Sequence, residues 1–221
     1  MAQDVSIIKS IQGYIRNIST SIAHCELYLW QSNGQLPTDD TGSFLKIHRI
    51  DKDDLDGRFL AYRGNELILD RLDSGYIGYW FEYDGAFVHA HWYAKHLYEV
   101  WDIRSILLIP DGSLYIFDGY TVPEYRGRGI LRYALAGSLL DMCQLKATDH
   151  IFALTQSHNA SINVALPKIG YQRKATLSFR QFPPCRYHGI QGEGKTRHYM
   201  TIMHLRNESR RFDLSTMSYM E

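Results

Sequence analysis

Only three cysteines occur among the 221 residues, at positions 25, 143 and 185, widely spaced and odd in number. They form no Cys-x-x-Cys pair and no Cys/His zinc spacing, so no disulfide framework is expected, and a reducing, cytoplasmic setting fits best. Excess charge is missing too: 24 Lys+Arg face 24 Asp+Glu, a formal net charge of zero. That balance argues against a protein that coats nucleic acid or an acidic membrane through its whole-molecule field, while leaving room for a local basic patch. Apolar runs are short. Ile106 to Pro110 is among the longest, far below the ~20 residues of a membrane-spanning helix. The opening MAQDVSIIKSIQG places acidic and polar residues where a secretory signal needs an apolar block. The expectation is a soluble protein without nucleic-acid or membrane partners.

What is present is globular: 45% hydrophobic and 22% charged residues, in a chain long enough to bury a core. Aromatics reach 13%, with 16 Tyr, which suits a ring-rich cleft or interface. Residues 5–23 carry Ile7, Ile8, Ile11, Tyr14, Ile15, Ile18 and Ile22 at helical intervals, the pattern of an amphipathic helix packed on the body of the domain. CELYLWQ (25–31) reads as a strand and 31–43 as a turn-rich linker. Residues 1–43 therefore read as a helix–strand extension, 44–207 as the main domain and 208–221 as a frayed tail. Within the domain, 44–50 alternates like a strand, and one or two short helices follow, with Asp51 or Asp53 as cap. The Asp84-Gly85 pair between YIGYWFEY (76–83) and AFVHAHWYA (86–94) predicts a β-hairpin. IRSILLI suggests a strand, SLYIFDGYTV (113–122) another, 130–145 a helix, and HIFALTQ (150–156) a buried strand. SINVALPKI is a short helix interrupted near Pro167 and ended by Gly170. Two last strands flank a polar loop, 181–196. Strands alternating with helices make this an α/β or α+β domain.

The chemistry lies in strand, then Pro-Glu-Tyr-Arg-Gly-Arg-Gly-Ile (123–130), then helix. Gly127 and Gly129 let the backbone turn tightly and a ligand approach without a Cβ in the way. The unpaired N–H groups of the helix start point into that loop with the positive end of the helix dipole behind them. Arg126, Arg128 and Arg132 add charge-assisted donors. This is a cradle for a pyrophosphate. No Gly-Lys-Ser/Thr follows, so it is not a P-loop, and the three-glycine dinucleotide fingerprint is missing.

From Asp118 to Tyr171 the chain resembles the GNAT superfamily of acyltransferases, whose signature is Arg/Gln-x-x-Gly-x-Gly/Ala between strand and helix. Arg126, Gly127, Arg128, Gly129 and Ile130 stand in the first five positions, and Leu131 departs from the sixth. Thr121-x-Pro-Glu-Tyr resembles the usual approach to that motif. Asn159, Ser161, Lys168, Gly170 and Tyr171 resemble the second motif in order and spacing. The resemblance covers roughly 44–180. It implies a central mixed, mostly antiparallel twisted sheet flanked by helices, with two central parallel strands, 113–122 and 150–156, splayed apart. It implies acyl-CoA, acetyl-CoA in the first instance, as co-substrate and no metal. The pantetheine arm would pair with the edge of 119–122, through Tyr120, Thr121 and Val122. The pyrophosphate would sit on the N–H groups of 127–132, with Asn159 and Ser161 holding the second strand's loop and the cofactor arm.

The implied reaction is N-acyl transfer to a small-molecule amine by direct attack. A protein amine as acceptor and a catalytically silent acyl-CoA-binding domain stay open beside it, and a homodimer is compatible with all three. The amine must lose a proton, so a base is needed. Asp118 lies where the family commonly carries an acid, with a structural strand Asp as its alternative reading. His89 and His91, two residues apart on one strand face, are the other candidates. A metal would need a third ligand. Glu82 is a weaker choice. The oxyanion would be met by a strand N–H near Tyr120 or Thr121. The family's usual second-motif Tyr acid is Leu166 here; Tyr133 or a hairpin Tyr is the substitute. Cys143 reads as core packing. Tyr79, Trp80, His89, His91, Trp92 and Tyr93, with loop 181–196, are expected to line the acceptor cleft.

Overall fold

The computed structural model describes residues 22–32, 44–52, 64–100, 105–145, 148–182, 185–192, 195–202 and 210–213. Its elements are β1 (Ile22–Gln31), β2 (Lys46–Arg49), α1 (Asn65–Asp73), β3 (Ile77–Tyr83), β4 (Ala86–Ala94), β5 (Leu97–Val100), β6 (Ser105–Leu108), β7 (Ser113–Thr121), α2 (Ile130–Gln144), β8 (His150–Gln156), α3 (Ala160–Lys168), β9 (Gln172–Phe182), β10 (Cys185–Gly192), β11 (Lys195–Ile202) and β12 (Arg210–Asp213). One nine-stranded sheet runs β11-β10-β9-β1-β8-β7-β4-β3-β2, and β12-β6-β5 form a second, small sheet. Every described pair of the large sheet is antiparallel except β7–β8. The mixed, mostly antiparallel α+β architecture is thus the one the chain adopts.

Local chemistry accounts for the elements that place the site. Asp84 and Gly85 both take left-handed φ, 48° and 76°, which gives the two-residue turn whose twist matches its flanking strands. β3 is buried at six of its seven positions, as a central strand covered on both faces must be. On one face Tyr79, Phe81, Tyr93, Leu114 and Ile116 pack against Ile130, Leu135 and Leu139 of α2 and Leu166 of α3. On the other, Trp80, Trp92, Tyr115 and Phe117 meet Ile68 of α1 and Leu107 of β6. Tyr98 of β5 lies 4.1 Å, centroid to centroid, from Phe117. α3 runs through Pro167 into its last turn and ends at Lys168. Gly170 at φ 93° lets Tyr171 N–H return to the Leu166 carbonyl at 3.1 Å.

Several expectations are corrected. The strand of the N-terminal segment is no appendage: β1 lies inside the sheet, antiparallel to β8 through Cys25↔Gln156 to Gln31↔His150 and to β9 through Ile22↔Arg180 to Leu29↔Gln172. Its apolar residues belong to both core layers, Leu27 and Leu29 to one, Tyr28 and Trp30 to the other. The Ile-rich stripe at 5–23 ends in β1 at Ile22 and Ala23; residues 1–21 and the linker positions 33–43 lie outside the described residues. Asp53 does as well, and α1 is preceded by Gly64 rather than by an aspartate cap. The polar loop 181–196 is strand for most of its length, in β9, β10 and β11. The tail also contributes structure, since β12 pairs in parallel with β6 from Arg210↔Ser105 to Asp213↔Leu108.

A strand in the middle of a sheet and one in an appendage differ in what truncation costs. Leu27, fully buried, is expected to lose about 2–5 kcal/mol on Leu27→Ala. Urea unfolding measures this. A loss within about 0.5 kcal/mol, the range of surface substitutions, would restore β1 to the periphery.

Candidate functional site

The site begins where the two parallel strands part. β7 and β8 pair from Ser113↔His150 only as far as Ile116↔Ala153. Beyond that point β7 stays on β4 up to Thr121↔His89, and β8 stays on β1 up to Gln156↔Cys25. A wedge therefore opens between Phe117–Thr121 and Leu154–Gln156. A bulge lies at the same place. Trp92 pairs with Phe117 and Ala90 with Tyr120, so Asp118 and Gly119 together oppose His91. Asp118 takes φ 47°, a left-handed conformation that Asp tolerates better than most residues. Such a bulge bends its strand and raises the local twist. Val122 N–H bonds the Val88 carbonyl at 3.0 Å, so by strand alternation Thr121 turns its own N–H and C=O toward the wedge.

At the wedge's mouth the chain makes a 3-10 turn, Pro123–Tyr125, then Arg126 to Gly129, then α2. Gly127 and Gly129 sit at φ 75° and 79°, where a side chain would be strained. Gly129 is the N-cap and brings no side-chain hydrogen bond, so the first N–H groups of α2 have no side-chain cap. The three arginines surround this opening. Arg126 Nε donates to the Thr121 carbonyl at 3.0 Å, Arg128 lies over the Tyr125 ring at 5.5 Å and Arg132 over Tyr133 at 4.7 Å. Helix N–H groups without a side-chain cap beside guanidinium groups have the chemistry that suits an anion.

Asp118 is at the wedge, and its Oδ2 lies 2.7 Å from Arg71 of α1. The Arg71 guanidinium in turn stands over Trp92 and Phe117, 5.1 and 5.3 Å from the ring centroids. Sequence reasoning missed Arg71, which shows there only as one polar residue of a short helix.

His89 and His91 are brought together but face inward, toward α2. Both are fully buried. His89 Nδ1 lies 2.8 Å from Thr121 Oγ1, His89 Nε2 3.1 Å from His91 Nδ1, and His91 Nε2 2.9 Å from Ser138 Oγ. All four ring nitrogens are engaged, which leaves none for a metal or an acceptor amine. Burial pulls the His89 pKa down to about 3 and holds that of His91 well below the ordinary value, aided there by His89. Tyr79, Trp80, Trp92 and Tyr93, expected in a cleft wall, are 4% exposed or less and form core instead. Glu82 is occupied at the β2–β3 edge, 3.0 Å from Lys46 Nζ and 3.3 Å from His48 Nε2. Tyr133 packs on Phe44 beside the cradle, and burial pushes the Cys143 thiol up.

Asn159 and Ser161 are exposed at the start of α3. The side chain that ties the β8–α3 connection is Asn163, whose Nδ2 donates to the carbonyls of Gln156 and Ser157 at 3.0 and 3.2 Å; its Oδ1 accepts from Thr155. It lies in the same sequence stretch, four residues after the helix cap, and that spacing was the available signal. Leu166 is completely buried. Away from the wedge, a cavity of about 330 Å³ lies between β2 and the second half of α2, beside Arg49 and Asp141; Asp141 already accepts from Tyr79 Oη at 2.5 Å.

A mostly antiparallel sheet whose one parallel pair splays over the bare N-terminus of a helix is the fold of the GNAT acetyltransferases. No family model and no curated protein matches the sequence. Among solved structures, the chain is similar to a protein assigned to the GNAT family of acetyltransferases from Novosphingobium aromaticivorans, at 16% identity and a TM-score of 0.50, over 72% of this chain and 64% of that one. A GCN5-related N-acetyltransferase-like protein from Streptococcus suis matches at 15% identity and TM-score 0.48, over 76% and 65%. A conserved protein of unknown function from Staphylococcus epidermidis matches at 10% and 0.49, over 77% and 62%. The chain thus spans a little under two thirds of each of these structures. At 16% identity, what the chain shares with the first of these is the fold.

The buried histidines make a pH prediction. Their folded pKa values lie below the unfolded ~6.5, so the unfolded state binds more protons as pH falls below 6.5, and stability is lost in that direction. Each ring contributes up to about 1.4 kcal/mol per pH unit. The stability of the protein, from urea midpoints between pH 7 and 5, should therefore fall more steeply than that of His89→Gln/His91→Gln. Equal slopes would mean that the rings are charged or exposed in the fold.

Proposed function

We propose that the protein transfers an acyl group, acetyl in the first instance, from acyl-CoA to the primary amine of a small molecule by direct attack. The observation that carries this reading is the wedge between β7 and β8 opening onto the uncapped start of α2. An extended arm with amide groups fits the edge of β7 where it has left β8, at the wedge-facing Thr121 N–H, and a pyrophosphate fits the N–H groups that follow Gly129 together with Arg126, Arg128 and Arg132. Acyl-CoA supplies an activated thioester there. The chain's own part is to hold that thioester in the wedge, offer backbone N–H at the bulge to a developing oxyanion, and accept the proton of the attacking amine.

For the last role Asp118 is the ionisable side chain at the wedge, with Arg71 fixing one of its oxygens. His89 and His91 are reassigned from base to buried support, since neither reaches the wedge with a free nitrogen. A catalytically silent acyl-CoA-binding domain is the second reading, favoured by one observation: an apolar, buried Leu166 stands where the family's acid is expected.

Acetyl-CoA at 100 times its Kd should stabilise the fold by about 2.7 kcal/mol, read as a rise in melting temperature. Arg128→Glu, at an exposed position, and Gly129→Glu should each abolish that rise. A shift retained in both would refute the cradle. Across a panel of amines, thiol release should reveal turnover, and Asp118→Asn should lower it by about 10²-fold or more with acetyl-CoA binding kept. Turnover unaffected by Asp118→Asn removes Asp118 as the base; no turnover with any amine, binding intact, selects the silent domain.

A further inference from the structure

Thr121, His89, His91, Ser138 and Tyr93 form one continuous hydrogen-bonded chain from the lip of the wedge into the core. Besides the three contacts of the rings, Tyr93 Oη lies 2.7 Å from Ser138 Oγ, and Ser138 Oγ lies 3.1 Å from the Leu135 carbonyl. The inner end is sealed, for Tyr93, His91 and Ser138 are fully buried. Burial keeps both rings neutral, so each carries one N–H and one bare nitrogen.

That constraint couples the tautomers. Between His89 Nε2 and His91 Nδ1 there is room for one hydrogen, so one ring donates and the other accepts. With the proton on Nε2 of both rings, Thr121 O–H donates to His89, His89 to His91, and His91 to Ser138. Ser138 also accepts from Tyr93 and donates to the Leu135 carbonyl. All five bonds are made. With the proton on Nδ1 of both rings, Ser138 must donate to His91, and its bond to Leu135 is lost. Mixed tautomers leave two hydrogens or two lone pairs facing each other inside the core. The first arrangement is the one fully satisfied, and unsatisfied polar groups are costly when buried.

We propose that this chain fixes the Thr121 hydroxyl as a hydrogen-bond acceptor toward the wedge, where it receives an N–H of the bound ligand. Its own hydrogen is committed inward to His89, and Thr121 is half-buried at the open edge of β7. The ligand chemistry is an amide or amine N–H, from the pantetheine arm or from the acceptor amine; His89, His91, Ser138 and Tyr93 are positioning residues that act through Thr121. The inference rests on the acyl-transfer reading for the identity of the ligand, while the tautomer assignment stands without it.

The first test is nitrogen-15 NMR of histidine-labelled protein without ligand. Both buried rings are expected as Nε2–H tautomers, and an Nδ1–H signal for either would overturn the proposal. The second test compares Thr121→Val with Thr121→Ser. Thr121→Val should weaken CoA binding about fivefold or more if the pantetheine amide is the donor, or raise the amine KM by that factor at unchanged CoA affinity if the amine is. Thr121→Ser, which keeps the hydroxyl, should recover most of either loss. A folded Thr121→Val with neither change would refute the contact. Should the unaltered protein fail to bind CoA, the reading of the wedge falls and the contact with it, and the tautomers still decide the chain's polarity.

Discussion

Parallel strands in the middle of a sheet do not part without consequence. Past Ile116↔Ala153, β7 and β8 each present N–H and C=O groups to a gap inside the domain. Backbone groups so placed must meet water or a ligand. The bulge at Asp118 lies where the two strands part. β4 and β1 hold the outer edges of the two strands, so the wedge cannot close by either strand leaving its neighbour. An extended molecule with its own amides is what such an edge is shaped to receive, as an added strand would be.

The anion end follows the same logic. With a net charge of zero, the protein has no net positive charge for drawing in a polyanion. It has instead a short segment in which two left-handed glycines lead into a helix whose N-cap offers no side chain. Oriented N–H groups bind a phosphate by geometry and cost the rest of the surface nothing in charge. The stacking of Arg128 and Arg132 on Tyr125 and Tyr133 keeps the guanidinium groups near the opening.

What could be read from the sequence was local. The hairpin at Asp84-Gly85, the glycine turn and the helix after it are each written within a dozen residues, by turn chemistry and period. The place of β1 is not. Cys25 meets Gln156 across more than a hundred residues of chain, and nothing in CELYLWQ distinguishes a central strand from an edge one; only the filled slot between β8 and β9 does. Likewise, the spacing of His89 and His91 puts them on one face of a strand, and period two cannot say which face meets solvent. α2 decided that, by bringing Ser138 within hydrogen-bond reach of His91. The aromatic residues of the hairpin followed the same rule: their abundance suggested a cleft, and their burial on both faces of β3 and β4 made them core. Residues 181–196 misled for a complementary reason, because polar residues in outer strands of a sheet look like loop when no partner is known.

The lip of β7 is thereby clamped from both sides of the sheet. On one face Asp118 reaches Arg71, itself stacked over Trp92 and Phe117; on the other, Thr121 reaches α2 through two neutral rings and a serine. The two anchors differ in kind for a physical reason. The ion pair is partly exposed, its side chains at 14% and 21%, where water can help carry charge. The histidine chain is sealed, where charge would be expensive and only complete hydrogen bonding is tolerable. Between these anchors Tyr120 stays paired with Ala90 of β4, and it is Thr121 that turns its backbone N–H to the wedge. A strand edge that is to take a ligand has to be held in place without another strand covering it, and polar anchors on its two faces, with Arg126 on the Thr121 carbonyl, hold β7 while leaving it uncovered by β8 past Ile116.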